Sequence, residues 1–145
     1  MRVGFYLHGN QPVERVLPQI ARAALGQGQR LLVVSGDDAQ LAALDKALWE
    51  QFPEHFLAHG FAGGPHDARQ PVLLADSCAN ANGAEVVALA DGQWREEAAT
   101  FPRAILLFDE NARGSARAIW RQFDGKTDVE REFFEIEGGK WVRKA

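Results

Sequence analysis

Cysteine is nearly missing from this chain: Cys78 is the only one in 145 residues. No internal disulfide can form, which fits a reducing compartment. There is no long run of one charge either. Lys and Arg number 16 against 20 Asp and Glu, for a formal net charge of −4, and such a balance does not favour a nucleic-acid backbone. Any role near DNA should be local or pass through another protein. No apolar run approaches the ~20 residues of a membrane helix, and the opening VGFYL is too short for a signal peptide. The cytoplasm is therefore the expected location. Repeats, low-complexity tracts and linkers are also missing, so residues 1–145 are expected to form a single domain, long enough to bury a core.

Motifs for catalysis and cofactors are equally scarce. No glycine fingerprint follows Val3 to Leu7, where the loop reads HGNQP. Gly125-Lys126-Thr127 lacks the upstream glycine and preceding strand of a phosphate loop. His55 and His59 are four apart, but Pro53 breaks a zinc-binding helix and no ligand set is completed. Cys78 has no cationic neighbour in sequence to activate it. His8, at the mouth of the first strand, is the one plausible general base. Asp37 follows the second strand, where a carboxylate either touches a ribose or caps a helix. No catalytic residue, cofactor or metal is expected. The alternative is a small nucleotide-dependent or hydrolytic α/β enzyme using His8 and Asp37.

What is present is an alternation of apolar runs and amphipathic stretches. Val3 to Leu7 reads as a strand buried on both faces. Val13, Val16, Leu17, Ile20, Ala21, Ala24 and Leu25 keep helical spacing, with Pro18 set to kink the helix or mark where its regular part begins, and Gly26 and Gly28 to end it. Arg30 to Ser35 is a second strand. Asp37 or Asp38 caps a helix whose apolar stripe is Leu41, Leu44, Leu48 and Phe52. Pro71 to Ala75, Glu85 to Ala90 and Arg103 to Phe108 are further strands, and Trp94 to Thr100 is a short helix. REFFEIE, Gly138-Gly139 and KWVRK read as a terminal strand or hairpin. The order predicts an α/β fold: a three-layer, open, largely parallel sheet of nucleotide-binding-like (Rossmann-like) topology.

Two stretches stand out. In ILLFDENARGSARAIWRQF, Asp109, Glu110 and Asn111 sit at a helix start. Ala112, Ala116, Ile119 and Phe123 then form one narrow stripe, the buried one at ~100° per residue. Arg113, Arg117 and Trp120 share a flank about a quarter-turn away, with Arg121 a little further round. That flank is either a solvated helix face or a site for a carboxylate beside an indole. The second stretch, Trp49 to Phe61, carries Trp49, Phe52, Phe56, Leu57 and Phe61. It is either satellite core over a sheet edge or an exposed apolar patch.

FYL at Phe5 to Leu7, LDKALW at Leu44 to Trp49, PEHFLAHG at Pro53 to Gly60, LFDEN at Leu107 to Asn111, ARxxWR at Ala116 to Arg121 and the terminal GGKWVRKA occur in an order and spacing that resemble the chi subunits of bacterial DNA polymerase III. The stretches Gly64 to Asn82 and Asp124 to Glu130 depart from the better-known members. The resemblance implies a nucleotide-binding-like fold with no catalytic site, acting as an adaptor beside the clamp loader. It implies that Arg117, Trp120 and Arg121 bind the acidic C-terminal tail of single-stranded DNA-binding protein, which ends in phenylalanine; helical spacing adds Arg113. It also implies that Trp49, Phe56 and Phe61 dock the psi subunit or another clamp-loader component, with no strong nucleic-acid binding and no membrane.

Overall fold

The computed structural model describes residues 1–145. Apolar continuity decides where the chain goes first: β1 (Arg2–Gly9) is buried from Val3 to His8 and lies inside the sheet, between β6 (Arg103–Asp109) and β7 (Glu130–Glu137). After β1 the chain forms α1 (Val13–Gly26), β2 (Leu31–Val34) and α2 (Asp38–Glu50). It continues through β3 (His59–Phe61), β4 (Val72–Ala75) and β5 (Val86–Leu89) to β6, then α3 (Arg113–Gln122), β7 and β8 (Lys140–Arg143). The eight strands form one sheet in the order β3-β4-β2-β5-β6-β1-β7-β8. Every neighbouring pair is parallel except β7 and β8. The expected three-layer α/β architecture is the one observed.

Strand alternation divides the core in two. Tyr6, Leu31, Val33 and Ile105 face α1 and α2, which bury Val16, Leu17, Leu44 and Leu48 against them. Val3, Phe5, Leu7 and Leu32 face the other way, toward Ala116, Ile119 and Phe123 on and just beyond α3. Each apolar residue therefore has a side dictated by its parity along the strand.

Several elements differ from expectation. The first helix begins at Val13 and is continuous through Pro18, whose ring is buried, so Pro18 does not mark the start of its regular part. The second helix stops at Glu50, and Phe52 lies beyond it, half-buried, with the Arg22 guanidinium 5.0 Å from its ring centre. Trp94 to Thr100 gives only a 3₁₀ turn over Glu96–Thr100. Strand β3 falls inside the aromatic stretch, where its three residues are too few to show a period. The terminal hairpin forms as expected. Gly138 and Gly139 have φ of 57° and 80°, which the tight turn requires and glycine permits.

Candidate functional site

Helix α3 starts where the sequence placed acceptors. Asp109 Oδ1 accepts from the Ala112 amide at 3.0 Å, and a 3₁₀ turn (Glu110–Ala112) leads into the helix. Of the predicted stripe, Ala116, Ile119 and Phe123 are buried, and Ala112, in the turn before the helix, is half-buried. The flank beside it borders a cavity of about 290 Å³. Phe5, Phe108 and Ala116 are its buried floor, and the half-buried rings of Trp120 and Phe133 are its walls. Arg113, Arg117 and Ala145 stand at its rim.

The aromatic walls are held by one another. Trp120 meets Phe5 edge-on with ring centres 5.0 Å apart, and Phe108 meets Phe133 at 6.2 Å in the same way. Both distances lie within the favourable range for aromatic pairs. Arg131 supports Trp120 from behind: its guanidinium lies 4.8 Å from the indole centre and donates to the Trp120 carbonyl at 2.7 Å and to Asp124 at 2.8 Å. It thus satisfies a carbonyl at the end of α3 while fixing the ring.

The three predicted arginines differ in availability. Arg113 makes two bonds of 3.0 Å to Glu110 and lies 3.9 Å from Glu135. The Glu110 bond raises the Arg113 pKa and holds the Glu110 carboxyl below its usual range. Arg117 is exposed and has no ion pair or hydrogen bond from its side chain, and its guanidinium borders the apolar cavity. Arg121 is also exposed and unpaired, but it does not line the cavity. Helical reasoning therefore located Arg113, Arg117 and Trp120 correctly as a group. It missed Phe5, Phe108 and Phe133, which arrive from three adjacent strands.

At the opposite sheet edge, the aromatic stretch splits. Leu57 is buried, whereas Trp49, Phe56 and Phe61 are exposed by 47%, 68% and 49%. Trp49 and Phe56 have ring centres 5.3 Å apart, and His59 packs on Trp49 at 4.4 Å. The His59 ring bridges the Leu57 carbonyl and Asp45, at 2.7 and 2.8 Å. Phe61 stands on the edge strand that starts at His59. Phe56 is the one non-glycine residue with positive φ, at 26°.

The other candidates are occupied in ways that explain them structurally. Asp37 caps α2 by accepting from the Ala39 and Gln40 amides. His8 is buried, with Nδ1 2.7 Å from the Gln11 carbonyl. It lines a crevice of about 430 Å³ at the carboxyl ends of β1 and β6, whose following helices go to opposite faces. Open α/β sheets bind ligands at such switch points. Here, however, Glu14, Asp91 and Asp109 line the crevice with no lysine or arginine among them, so no cation faces a phosphate there, while Arg95 pairs Asp91 from outside the lining. Cys78 has Arg95 near it in space, a neighbour the sequence did not reveal, but burial outweighs that charge and pushes the thiol pKa up. No group of three or more His, Cys, Asp or Glu is placed to hold a metal ion, and no helix is long and apolar enough to cross a membrane.

The family model described as DNA polymerase III chi subunit, HolC, matches residues 1–127. DNA polymerase III subunit chi of Escherichia coli (strain K12) is 34% identical over 67 residues, an alignment that covers 46% of this chain and 46% of that protein. The chain thus aligns with less than half the length of that relative. The family match ends before β7, so the β7–β8 hairpin lies outside it.

Proposed function

The chain belongs to the DNA polymerase III chi subunit family, and from that premise we propose that it is a non-catalytic adaptor of the replication machinery. It links the acidic C-terminal tail of single-stranded DNA-binding protein to the clamp loader. The tail's final phenylalanine enters the cavity beside α3, and Arg117 pairs its terminal carboxylate. Arg121 and Arg113 meet the aspartates further up the tail. The exposed rings of Trp49, Phe56 and Phe61 dock the psi subunit or an equivalent clamp-loader component.

One observation carries the first half: an exposed arginine without a partner stands at the rim of a cavity walled by aromatic rings. A free guanidinium is the group best matched to a carboxylate, and aromatic walls suit a phenyl ring. An apolar cavity of ~150 Å³ is enough for benzene, and this one is about 290 Å³. The acidic composition and the carboxylate-lined crevice fit a protein that reads another protein rather than a phosphate backbone or a nucleotide.

The test is calorimetric titration with the last ten or so residues of the cognate tail. Arg117→Ala should weaken binding about 10- to 100-fold, since a hydrogen bond to a charged group contributes about 1.5–3 kcal/mol, and the melting temperature should hold. Removing the final Phe should abolish binding, and raising salt should weaken it by screening the exposed charges. Unchanged affinity after Arg117→Ala would remove the site from this flank.

A further inference from the structure

The opposite face of the sheet, the one that α1 covers, has a cavity of its own. Strand parity sets Tyr6 on β1 and Arg103 and Ile105 on β6 toward that face. Between them and α1 lies a space of about 100 Å³. Ile20, Ala24, Val86 and Ile105 give it apolar walls, Gln19 and Gln27 border it from α1, and Trp141 borders it from β8. No aspartate or glutamate lines it.

Three hydrogen-bond donors at this cavity lack an acceptor. The Trp141 Nε1–H is buried and bonds to nothing, and an indole N–H can only donate. Burying such a group unpaired is unfavourable, so an orphan of this kind calls for an occupant. The Tyr6 hydroxyl accepts from Arg103 Nη2 at 2.6 Å, which leaves its own proton unused. Burial pushes the Tyr6 pKa up in spite of Arg103, so the hydroxyl keeps that proton. The bond to Tyr6 is the only one that the Arg103 side chain makes, and no carboxylate pairs its guanidinium. Glu132, whose charge reaches Tyr6, is engaged by Arg2 at 3.0 Å and Arg143 at 3.3 Å. The donors are also fixed in place, since the Tyr6 ring stacks on Phe134 at 4.8 Å and meets Trp141 edge-on at 4.9 Å.

An occupant that suits a guanidinium, a hydroxyl and an indole N–H together must accept, carry negative charge and offer two oxygens. A carboxylate does all three. Apolar walls with a few polar groups suit a short alkyl chain behind it, and the volume is below the ~150 Å³ that admits benzene. We infer that this cavity binds a carboxylate on a short aliphatic chain, with Arg103 pairing its charge and Tyr6 and Trp141 donating to its oxygens. This inference does not rest on the tail-binding reading, because it uses no residue of α3 and lies on the other face of the sheet.

The experiment follows the four indole N–H signals of the ¹⁵N-labelled full chain as sodium butyrate replaces sodium chloride at constant ionic strength. Trp141→Phe identifies the Trp141 signal. Butyrate should move that signal saturably, in the Arg117→Ala variant as in wild type. Butyramide, which has the same shape and no charge, should bind about tenfold more weakly, and inorganic phosphate, which has no alkyl chain, should leave the signal in place. Tyr6→Phe should weaken butyrate about tenfold, and Arg103→Gln should abolish the saturable shift. A free acid and a glutamate side chain offer the same head group. Tighter binding of N-acetylglutamate α-methylamide than of butyrate would assign the site to a partner's side chain, and the reverse order to a free acid. A Trp141 signal that stays still, that moves equally with butyramide, or that still moves after Arg103→Gln would overturn the inference and leave the cavity to water. None of these outcomes bears on the tail-binding reading, which Arg117→Ala tests with the tail peptide. Should Arg103→Gln fail to fold, the comparison of butyrate with butyramide on the unaltered protein decides.

Discussion

Arg113 and Arg117 show how little a residue's type says about its availability. One helical turn apart on one face, they carry the same charge, yet Glu110 and Glu135 engage the first and nothing engages the second. The Arg113–Glu110 pair is exposed, so its worth to stability is small. Its effect would be on the proposed tail binding, because a tail carboxylate would have to displace Glu110 to reach Arg113. Glu110→Gln should therefore raise tail-peptide affinity about two- to fivefold at low salt and much less at high salt, by titration at both. Mild acid will not do the same, since Arg113 holds the Glu110 carboxyl below its ordinary range. Phe56 poses a different question at the same scale. Its positive φ is a conformation that costs a bulky residue energy, and its ring is mostly in water. The docking contact proposed above would give that exposed ring a use. Phe56→Gly should leave the thermal midpoint within about 2 °C of wild type, because relief of strain offsets the added chain entropy. Co-purification with psi should be lost in the same variant.

Elements were legible in the sequence where their information is local. The helical period of α3 places Ala116, Ile119, Arg117 and Trp120 on their correct faces, and the sequence narrows the cap of α2 to Asp37 or Asp38, of which Asp37 makes the bonds, because capping needs only the next few residues. The other half of the pocket was not legible. Phe5, Phe108 and Phe133 meet because β6, β1 and β7 are neighbours, and strand order is set by crossovers far apart in the chain. Alternation shows that Phe133 and Phe134 face opposite ways, but not which of them faces α3. Asp91 is a further non-local device. It lies in the turn two residues beyond β5 and receives bonds from the Gly36 amide beyond β2, from the Gln93 amide and from both ends of the Arg95 guanidinium. Burial pushes its pKa up, but the bonds from Arg95, Gly36 and Gln93 outweigh that and hold it below the usual value. With the native pKa depressed, the unfolded chain takes up the proton first as pH falls, so the stabilisation is present above ~3.9, the ordinary Asp value, and is lost through the lower native value. Asp91→Asn should lower stability by about 1–3 kcal/mol at pH 7. The gap should begin to narrow as pH falls below ~3.9 and keep shrinking on further acidification, as read from urea midpoints at each pH.

The whole molecule separates its two candidate surfaces by the width of its sheet. The cavity beside α3 is built around β6, β1 and β7, and the aromatic patch adjoins β3 at the far edge. From β3 to β1 there are five strand-to-strand steps, and at ~4.8 Å per step that is about 24 Å of hydrogen-bonded sheet. The strands between them, β4, β2, β5 and β6, are buried along nearly all their length, so no loop hinges one surface against the other. Close-packed cores of this kind have few alternative arrangements through which binding at one end could change affinity at the other. Sites farther apart than ~10 Å with no shared partner are normally independent to within about 0.5 kcal/mol. The adaptor proposed above would gain from that independence, since it would have to hold two partners at once without either expelling the other. Phe56→Ala should accordingly leave tail-peptide affinity within about twofold of wild type, while Arg117→Ala should leave co-purification with psi intact. A tenfold change in either cross-measurement would mean that the sheet transmits a rearrangement between its edges, and the two surfaces would then be parts of one switch.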